Sequence, residues 1–402
     1  MVPYEILGEL VTKTPSKIVL LVMDGLGGIP VGGRTELEAA KRPNLDRLAR
    51  EGICGLMDPV FPGITPGSGP GHLALFGYDP LKYQVRRGVI EALGVGMEVS
   101  KGEVVVRANF ATLSEEGVVI DRRAGRIPTE QNERLCRKLG EAIPEIQGVK
   151  VTIAPGREHR FVVKFSGEGL SEDISDTDPQ KEGMRPLEPE PLSPKGQRMA
   201  KVVKEFIGKA LEVLRDERPA NGVLFRGFSM MPEIPSMGEL FKLTPACIAS
   251  YPMYKGLARL VGMEVLESGE AVRDLFETLK RNWREGYDFF YVHVKATDSR
   301  GEDGDFEGKV KVIEEVDRNL PILFDLSPEV IVVTSDHSTP SALKGHSWHP
   351  CPFLLRSPNE RTDDVTEFTE RACARGGLGR FRGVEAMALM LASALKLKKF
   401  GA

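Results

Sequence analysis

Residues 17–28 read KIVLLVMDGLGG: six apolar residues, Ile18 to Met23, run without a break into Asp24 and a glycine-rich turn. A run this short, built of Val, Ile and Leu, predicts a strand buried on both faces. Two later stretches repeat the pattern. Residues 287–298, YDFFYVHVKATD, end on Asp298, and residues 329–337, EVIVVTSDH, end on Asp336 and His337. Between them lie helical patterns, PNLDRLAREG (43–52), EAVRDLFETLKRNWREG (270–286) and FEGKVKVIEEVDRNLPILFD (306–325). Strands alternating with helices predict a mainly parallel sheet wrapped by helices. In such sheets ligands bind beyond the carboxyl ends of the strands, so three aspartates delivered to that edge predict an active site there.

The middle of the chain follows another grammar. From about 119 to 220 it carries DRRAGR (121–126), a helical stretch, the alternating VKVTIAPGREHRFVVKF (149–165), the acidic SEDISDTDPQ (171–180), the proline-rich RPLEPEPLSP (185–194) and a closing helix over 196–217. The prolines predict an ordered loop or linker. Beyond 220, NGVLFRGF (221–228) and TPACIASYPMYKGLARLVG (244–262) read as a return of the α/β pattern. The expected organisation is an α/β core of residues 1–118 and 221–402, interrupted by a smaller inserted α+β domain at 119–220.

Bulk properties narrow the partners. A net charge of −4 argues against nucleic acid or an anionic membrane as a general partner. No apolar stretch approaches the roughly 18 residues of a membrane span, and no cationic leader opens the chain. The cysteines (Cys54, Cys136, Cys247, Cys351, Cys373) are odd in number, scattered and free of any CxxC pair, which suits a reducing, cytoplasmic setting and core packing. A P-loop, a GxGxxG fingerprint, a GxSxG elbow and an HExxH helix are all missing.

Half of the six histidines crowd into residues 334–350, TSDHSTPSALKGHSWHP. Asp24, Asp298, Asp336, His337 and His346 thus sit at or just past strand ends. Carboxylates mixed with imidazoles suit Zn, Mn, Fe or Mg-like ions, and five such groups exceed the needs of one catalytic ion. Two neighbouring ions would use them all, a recurring device for clamping phosphoryl oxygens. Taken singly, an Asp after a strand is more often a cap or turn former; the threefold repetition shifts the balance. His349 precedes the strand CPFLLR (351–356) and reads as a packing residue.

In ITPGSGPGHLALFGYDP (64–80), Ser68 lies between glycines and ahead of Pro70. Proline favours a helix's first turn, so Ser68 falls at a helix N-terminus, where main-chain N–H groups favour anions. Read alone, it is a plain N-cap serine, and a hydroxyl needs a base or metal to become a nucleophile. His72 either reaches the site or packs beside the helix. Arg122, Arg123, Arg126, Arg157 and Arg160, with His159 among them, could clasp phosphate or carboxylate oxygens, although a solvated face is the commoner fate of arginine. Lys255, where a strand hands over to a helix, is another candidate anion contact.

Together, IVLLVMDGLGG, TPGSGPGHLALFGYDP, RANFAT with DRRAGRI, KATDSRGEDGD followed by K…IEEVD, and TSDHSTP with GHSWHPCPF resemble the archaeal-type cofactor-independent phosphoglycerate mutases of the alkaline phosphatase superfamily. The motifs span nearly the whole chain in family order. The resemblance implies an alkaline-phosphatase-like core with an inserted lid. It makes Ser68 a phosphorylated nucleophile, assigns Asp24, Ser68, Asp336 and His337 to one ion, and Asp298 and His346 to another. The family usually has histidine where this chain has Glu302; a carboxylate there still ligates and favours Mn or Mg over Zn, with Asp303 and Asp305 as alternatives. The ions could be Mn, Mg, Co or Zn. The implied reaction is the glycolytic and gluconeogenic interconversion of 3-phosphoglycerate and 2-phosphoglycerate without bisphosphoglycerate. The lid's arginines would hold the glycerate and exclude water. A phosphatase, sulfatase or phosphotransferase of the same superfamily is the alternative, a non-catalytic binding module a more distant one, and self-association is left open.

Overall fold

The computed structural model describes residues 4–401, and strands follow one another along the chain as Ile18–Met23 (β1), Ile53–Asp58 (β2), Val104–Leu113 (β3), Val119–Asp121 (β4), Glu145–Ile146 (β5), Val149–Pro155 (β6), Arg160–Ser166 (β7), Gly222–Ser229 (β8), Pro245–Ile248 (β9), Glu264–Val265 (β10), Phe289–Val294 (β11), Val330–Thr334 (β12), Cys351–Arg356 (β13) and Gly379–Arg382 (β14). The helices that bear on function are Ser68–Leu75 (α1), Thr129–Ala142 (α2), Gln197–Leu214 (α3), Pro252–Leu260 (α4), Ala296–Asp303 (α5) and Phe306–Leu326 (α6). Among the described residues no helix is long and apolar enough to cross a membrane.

The chain divides into two compact units, one of residues 1–84 with 234–402, the other Val85–Glu233. The first holds an eight-stranded sheet in the order β10-β9-β11-β1-β12-β13-β2-β14. It is mainly parallel; only β13 runs against its neighbours β12 and β2. All six residues of β1 are buried, as its unbroken apolar run requires. β1 lies between β11 and β12, in parallel register on both sides: Met23 pairs with Val294 and Val22 with Thr334. The three strands that end on aspartate are therefore adjacent, and their carboxyl ends lie level. That register is what brings Asp24, Asp298 and Asp336 to one edge.

The second unit is α+β. Its antiparallel sheet runs β4-β3-β7-β6-β5, with β8 paired along β3. Helices α2 and α3 contribute Leu135, Leu139, Val203 and Phe206 to a core shared with Phe110, Phe161, Phe165 and Phe225. Cross-strand pairing takes β3 and β8, which flank the 119–220 block, into this sheet and carries the unit to 85 and 233. NGVLFRGF, read as the return of the α/β pattern, is β8 here: an apolar run predicts a strand but does not name its partner. The acidic and proline-rich segment after β7 forms no named strand or helix before Pro194, as its turn residues predict. The five cysteines are buried and free.

Candidate active site

The site in the first unit is built from four loops. Asp24 follows β1, and its carboxylate is fully buried, with neither oxygen accepting a hydrogen bond among the described residues. Around it stand His293 Nε2 at 3.2 Å, His337 Nε2 at 3.2 Å and Lys295 Nζ at 3.4 Å. Burial alone would raise the Asp24 pKa, but the Lys295 ammonium and the two histidines hold it well below the usual carboxylate range. Asp336, also fully buried, accepts from the Gly25 amide through Oδ1, while Oδ2 lies 3.1 Å from His337 Nε2 and has no hydrogen-bond partner.

Ser68 opens α1. The cap residue is Gly67, extended, so Ser68 is the first helical residue and its hydroxyl caps nothing. That hydroxyl instead lies 3.2 Å from His337 Nε2. Helix α1 is nearly all apolar or glycine beyond Ser68, and buries His72, Leu73, Ala74 and Leu75. His72 Nδ1 lies 2.8 Å from the Ser68 carbonyl and 3.2 Å from Asp336 Oδ2, so it stands behind the site rather than in it.

Partners fix the histidine tautomers. Thr339 has one hydroxyl proton, and it donates to Asp298 Oδ1 at 2.6 Å. Thr339 Oγ1, 2.9 Å from His337 Nδ1, must therefore accept a hydrogen bond from the Nδ1–H. In its neutral form, the form that binds a metal, His337 is thus left with the Nε2 lone pair toward Ser68, Asp24 and Asp336. Likewise His346 donates from Nδ1 to the Pro66 carbonyl at 3.0 Å and turns Nε2 toward Asp298 Oδ1 at 3.6 Å. The rings of His337 and His346 stack at 3.6 Å. A histidine held through one nitrogen with the other free is the arrangement of a metal ligand.

Among the described residues two groups of ligand atoms converge to within 4.8 Å: Asp24, Asp336 and His337, and Asp298, His337 and His346. His337 is near both, but its Nδ1 is engaged by Thr339, so its free nitrogen belongs to the first. The buried, donor-free oxygens of Asp24 and Asp336 are what a divalent cation would satisfy, since unpartnered buried charge is otherwise costly. The donor set fits such ions. Without them, burial lowers the His337 pKa, but Asp336, Asp24 and Asp298 outweigh it and hold it at about 9. Lys295, which also pairs with Asp298, is pushed upward by Asp24 and Asp298 against the effect of burial.

Glu302, in the last turn of α5, is 53% exposed with Oε1 3.9 Å from His346 Nε2, at the rim of the second group. Asp305 caps α6 through the Gly308 amide at 2.9 Å, which occupies it elsewhere. His349 Nδ1 pairs with Ser347 Oγ and its ring stacks on Trp348. Lys255, on α4, pairs with Glu267 at 2.9 Å.

Sequence reading passed over Lys295, Thr339 and His293, although Lys295 opens the quoted KATD and His293 is the single histidine within the apolar run of β11. His293, stacked on Tyr254 at 3.7 Å, is kept neutral by burial. In the second unit, Arg122 grips Asp178 with both arms of its fork at 2.9 and 2.6 Å. His159 is buried and pushed down to about 4, first by burial and then by Arg160, Arg107, Arg123 and Arg126. Those arginines therefore gather around one histidine, with Arg107 an addition to the set expected from sequence.

Comparison with known proteins adds an independent line. A family model described as 2,3-bisphosphoglycerate-independent phosphoglycerate mutase matches residues 49–221. A relative from Thermus thermophilus, a probable 2,3-bisphosphoglycerate-independent phosphoglycerate mutase, is 56% identical over 404 aligned positions, 99% of each chain. One from Aquifex aeolicus, described in the same words, is 54% identical over 99% of this chain and all of its own. Among solved structures, a Pyrococcus horikoshii protein superposes with a TM-score of 0.83 at 31% identity, covering 96% of this chain and 99% of that one. The cofactor-independent phosphoglycerate mutase of Thermoplasma acidophilum gives 0.73 at 35% identity, covering 94% and 100%.

Proposed function

Because the chain belongs to the 2,3-bisphosphoglycerate-independent phosphoglycerate mutase family, we propose that it interconverts 3-phosphoglycerate and 2-phosphoglycerate through a phosphoserine at Ser68, beside a site for two divalent ions. The observation that carries this reading is the Ser68 hydroxyl: capping nothing at a helix N-terminus, and 3.2 Å from the His337 Nε2 about which the buried, donor-free oxygens Asp24 Oδ1 and Asp336 Oδ2 also stand. In the proposed assignment Asp24, Ser68, Asp336 and His337 hold one ion and Asp298 and His346 the other, with Glu302 a further ligand of that second ion from its rim position.

Bound ions would supply the positive charge that lowers the serine pKa and offsets the charge on the phosphoryl oxygens. The protein's own groups do the rest. Ser68 Oγ gives up its proton and bonds to phosphorus as the bond from phosphorus to the glycerate oxygen breaks, and a proton in balance with the one lost from the serine ends on that oxygen. After glycerate turns, its other hydroxyl attacks the phosphoserine, the Oγ–phosphorus bond breaks, and Ser68 is restored. Main-chain N–H groups at the start of α1 favour the phosphoryl anion throughout. Arg123, Arg126, Arg157 and Arg160, with neutral His159 and with Arg122 oriented by Asp178, are proposed to bind the carboxylate and hydroxyls of glycerate; Lys255 is a further anion contact.

The test is to supply 3-phosphoglycerate to the metal-loaded enzyme and follow 2-phosphoglycerate and free phosphate together. Isomer without stoichiometric phosphate is expected, and no bisphosphoglycerate should be needed. Phosphate with no isomer would establish a phosphatase instead, and transfer only to an added alcohol would establish a phosphotransferase.

A further inference from the structure

Helix α6 packs behind the site and carries a charge the reaction above does not use. Lys309 is fully buried. Its ammonium donates to three main-chain carbonyls, Gly25 at 2.8 Å, Thr339 at 2.9 Å and Gly27 at 3.3 Å, while the Glu36 carboxylate lies 4.0 Å away. Three carbonyls around one nitrogen need three N–H donors, which only the charged amine provides. A buried lysine is otherwise rare, and this one has its charge balanced and its donors spent.

The carbonyls belong to the two loops that carry the ligands. Gly25 and Gly27 follow Asp24; Thr339 follows Asp336 and His337. The loops also meet directly, because the Thr339 amide lies 3.1 Å from both the Gly25 and Gly27 carbonyls. Those two oxygens thus accept from Thr339 and from Lys309 together. Thr339 then reaches forward, its hydroxyl joining Asp298 to His337. Helix α5, the bearer of Asp298, presses on the same peptide: a side chain at Gly301 would collide with the Thr339 carbonyl oxygen. Each ligand of both proposed ions except His346, Glu302 and Ser68 is therefore one or two residues, or one hydrogen bond, from the cage that Lys309 closes.

We infer that Lys309 is a positioning residue for the ion pair: its ammonium sets the register of the Asp24 loop against the Asp336–Thr339 loop and so fixes the spacing of the two ion sites. The inference rests on the two-ion reading above. Removing the ammonium takes that donor from the Thr339 carbonyl, leaves the Gly25 and Gly27 carbonyls with the Thr339 amide alone, and removes the cation that draws the three oxygens together, so the loops move apart. Ligand atoms that must meet within a few tenths of an ångström then cannot do so in both sites at once.

The experiment titrates Mn²⁺ into metal-depleted wild type, Lys309→Met and Lys309→Gln. Calorimetry gives stoichiometry and affinity, low-temperature electron paramagnetic resonance gives the spin coupling that reports ion–ion spacing, and circular dichroism confirms folding. Wild type should bind two ions per chain with a coupled spectrum; failure of this arm alone would sink the two-ion reading itself. Folded Lys309→Met should lose or visibly alter the coupled spectrum and bind at least one ion about tenfold more weakly, with kcat down about a hundredfold and KM little changed. Lys309→Gln keeps two N–H donors without the charge and decides the matter if the methionine variant does not fold. Folded variants with wild-type affinity and coupling would overturn the inference. So would the unfolding of both, which would leave Lys309 with a structural role alone.

Discussion

Gly71 stands in the first turn of α1, three residues beyond Ser68, and packs face to face with the Asp336 peptide. A Cβ built there would overlap the Asp336 carbonyl oxygen and lie 2.9 Å from its carbonyl carbon and 3.2 Å from its Cβ. Two of these atoms are main chain and cannot rotate away. Carbon atoms in ordinary contact sit about 3.5–4 Å apart, so Gly71→Ala must move helix and loop apart by about 1 Å. Overpacking of this kind typically costs about 1–3 kcal/mol, partly masked by the roughly 1 kcal/mol by which alanine favours a helix over glycine. The larger effect falls on chemistry. Ser68 Oγ is 3.2 Å from His337 Nε2, and a 1 Å widening between a nucleophile and the groups it works with costs about a hundredfold in rate. Steady-state kinetics of isomerisation, metal content and a thermal melt read all three quantities. The expected variant is folded, slightly less stable, loaded with metal and about a hundredfold lower in kcat, with KM within a few-fold of wild type. Wild-type kcat and melting temperature together would refute the argument that this contact places the serine.

Other perturbations probe separate parts of the site. Ser68→Ala should abolish turnover while leaving metal content and melting temperature nearly unchanged, and measurable isomerisation by a pure preparation would remove the serine from the chemistry. Glu302→Ala should weaken binding at one ion site with the other intact, seen as two unequal affinities for Mn²⁺; unchanged affinity at both would take Glu302 out of the ligand set. His159 is buried and pushed down to about 4, so the unfolded chain binds its proton first: the stability it contributes is complete above its ordinary value and is lost as pH falls toward 4, by at most about 3 kcal/mol. Urea melts at pH 7 and pH 4.5 should therefore show a smaller loss of stability for His159→Asn than for wild type, and parallel losses would contradict a buried neutral imidazole.

Much of this protein is legible along the chain. The run at 18–23 is too short and too evenly apolar for anything but a doubly buried strand, and its repetition before Asp298 and Asp336 is a local property of composition. The candidate ligands at strand ends, Ser68 at a helix start and the two candidate histidines after β12 follow from that same punctuation. Other features were hidden for stated reasons. NGVLFRGF is a strand by pattern, but its place beside β3 in the second unit depends on long-range pairing that alternation does not encode. Lys295 and Lys309 resemble ordinary surface lysines in a charged helical stretch; only packing reveals that both are largely or wholly enclosed. Asp305, an alternative to Glu302 in the sequence reading, proves to be a helix cap.

The sequence by itself determined which residues could act: period and punctuation are local, and local energetics choose a buried strand, a helix start or a turn from a few neighbouring side chains. Tertiary structure alone decided which of them act together. The parallel register of β11, β1 and β12 sets three aspartates level, and one threonine hydroxyl, having a single proton to give, settles which nitrogen of His337 faces the serine. Such choices depend on distances between atoms hundreds of residues apart in the chain, and no run of adjacent residues contains them.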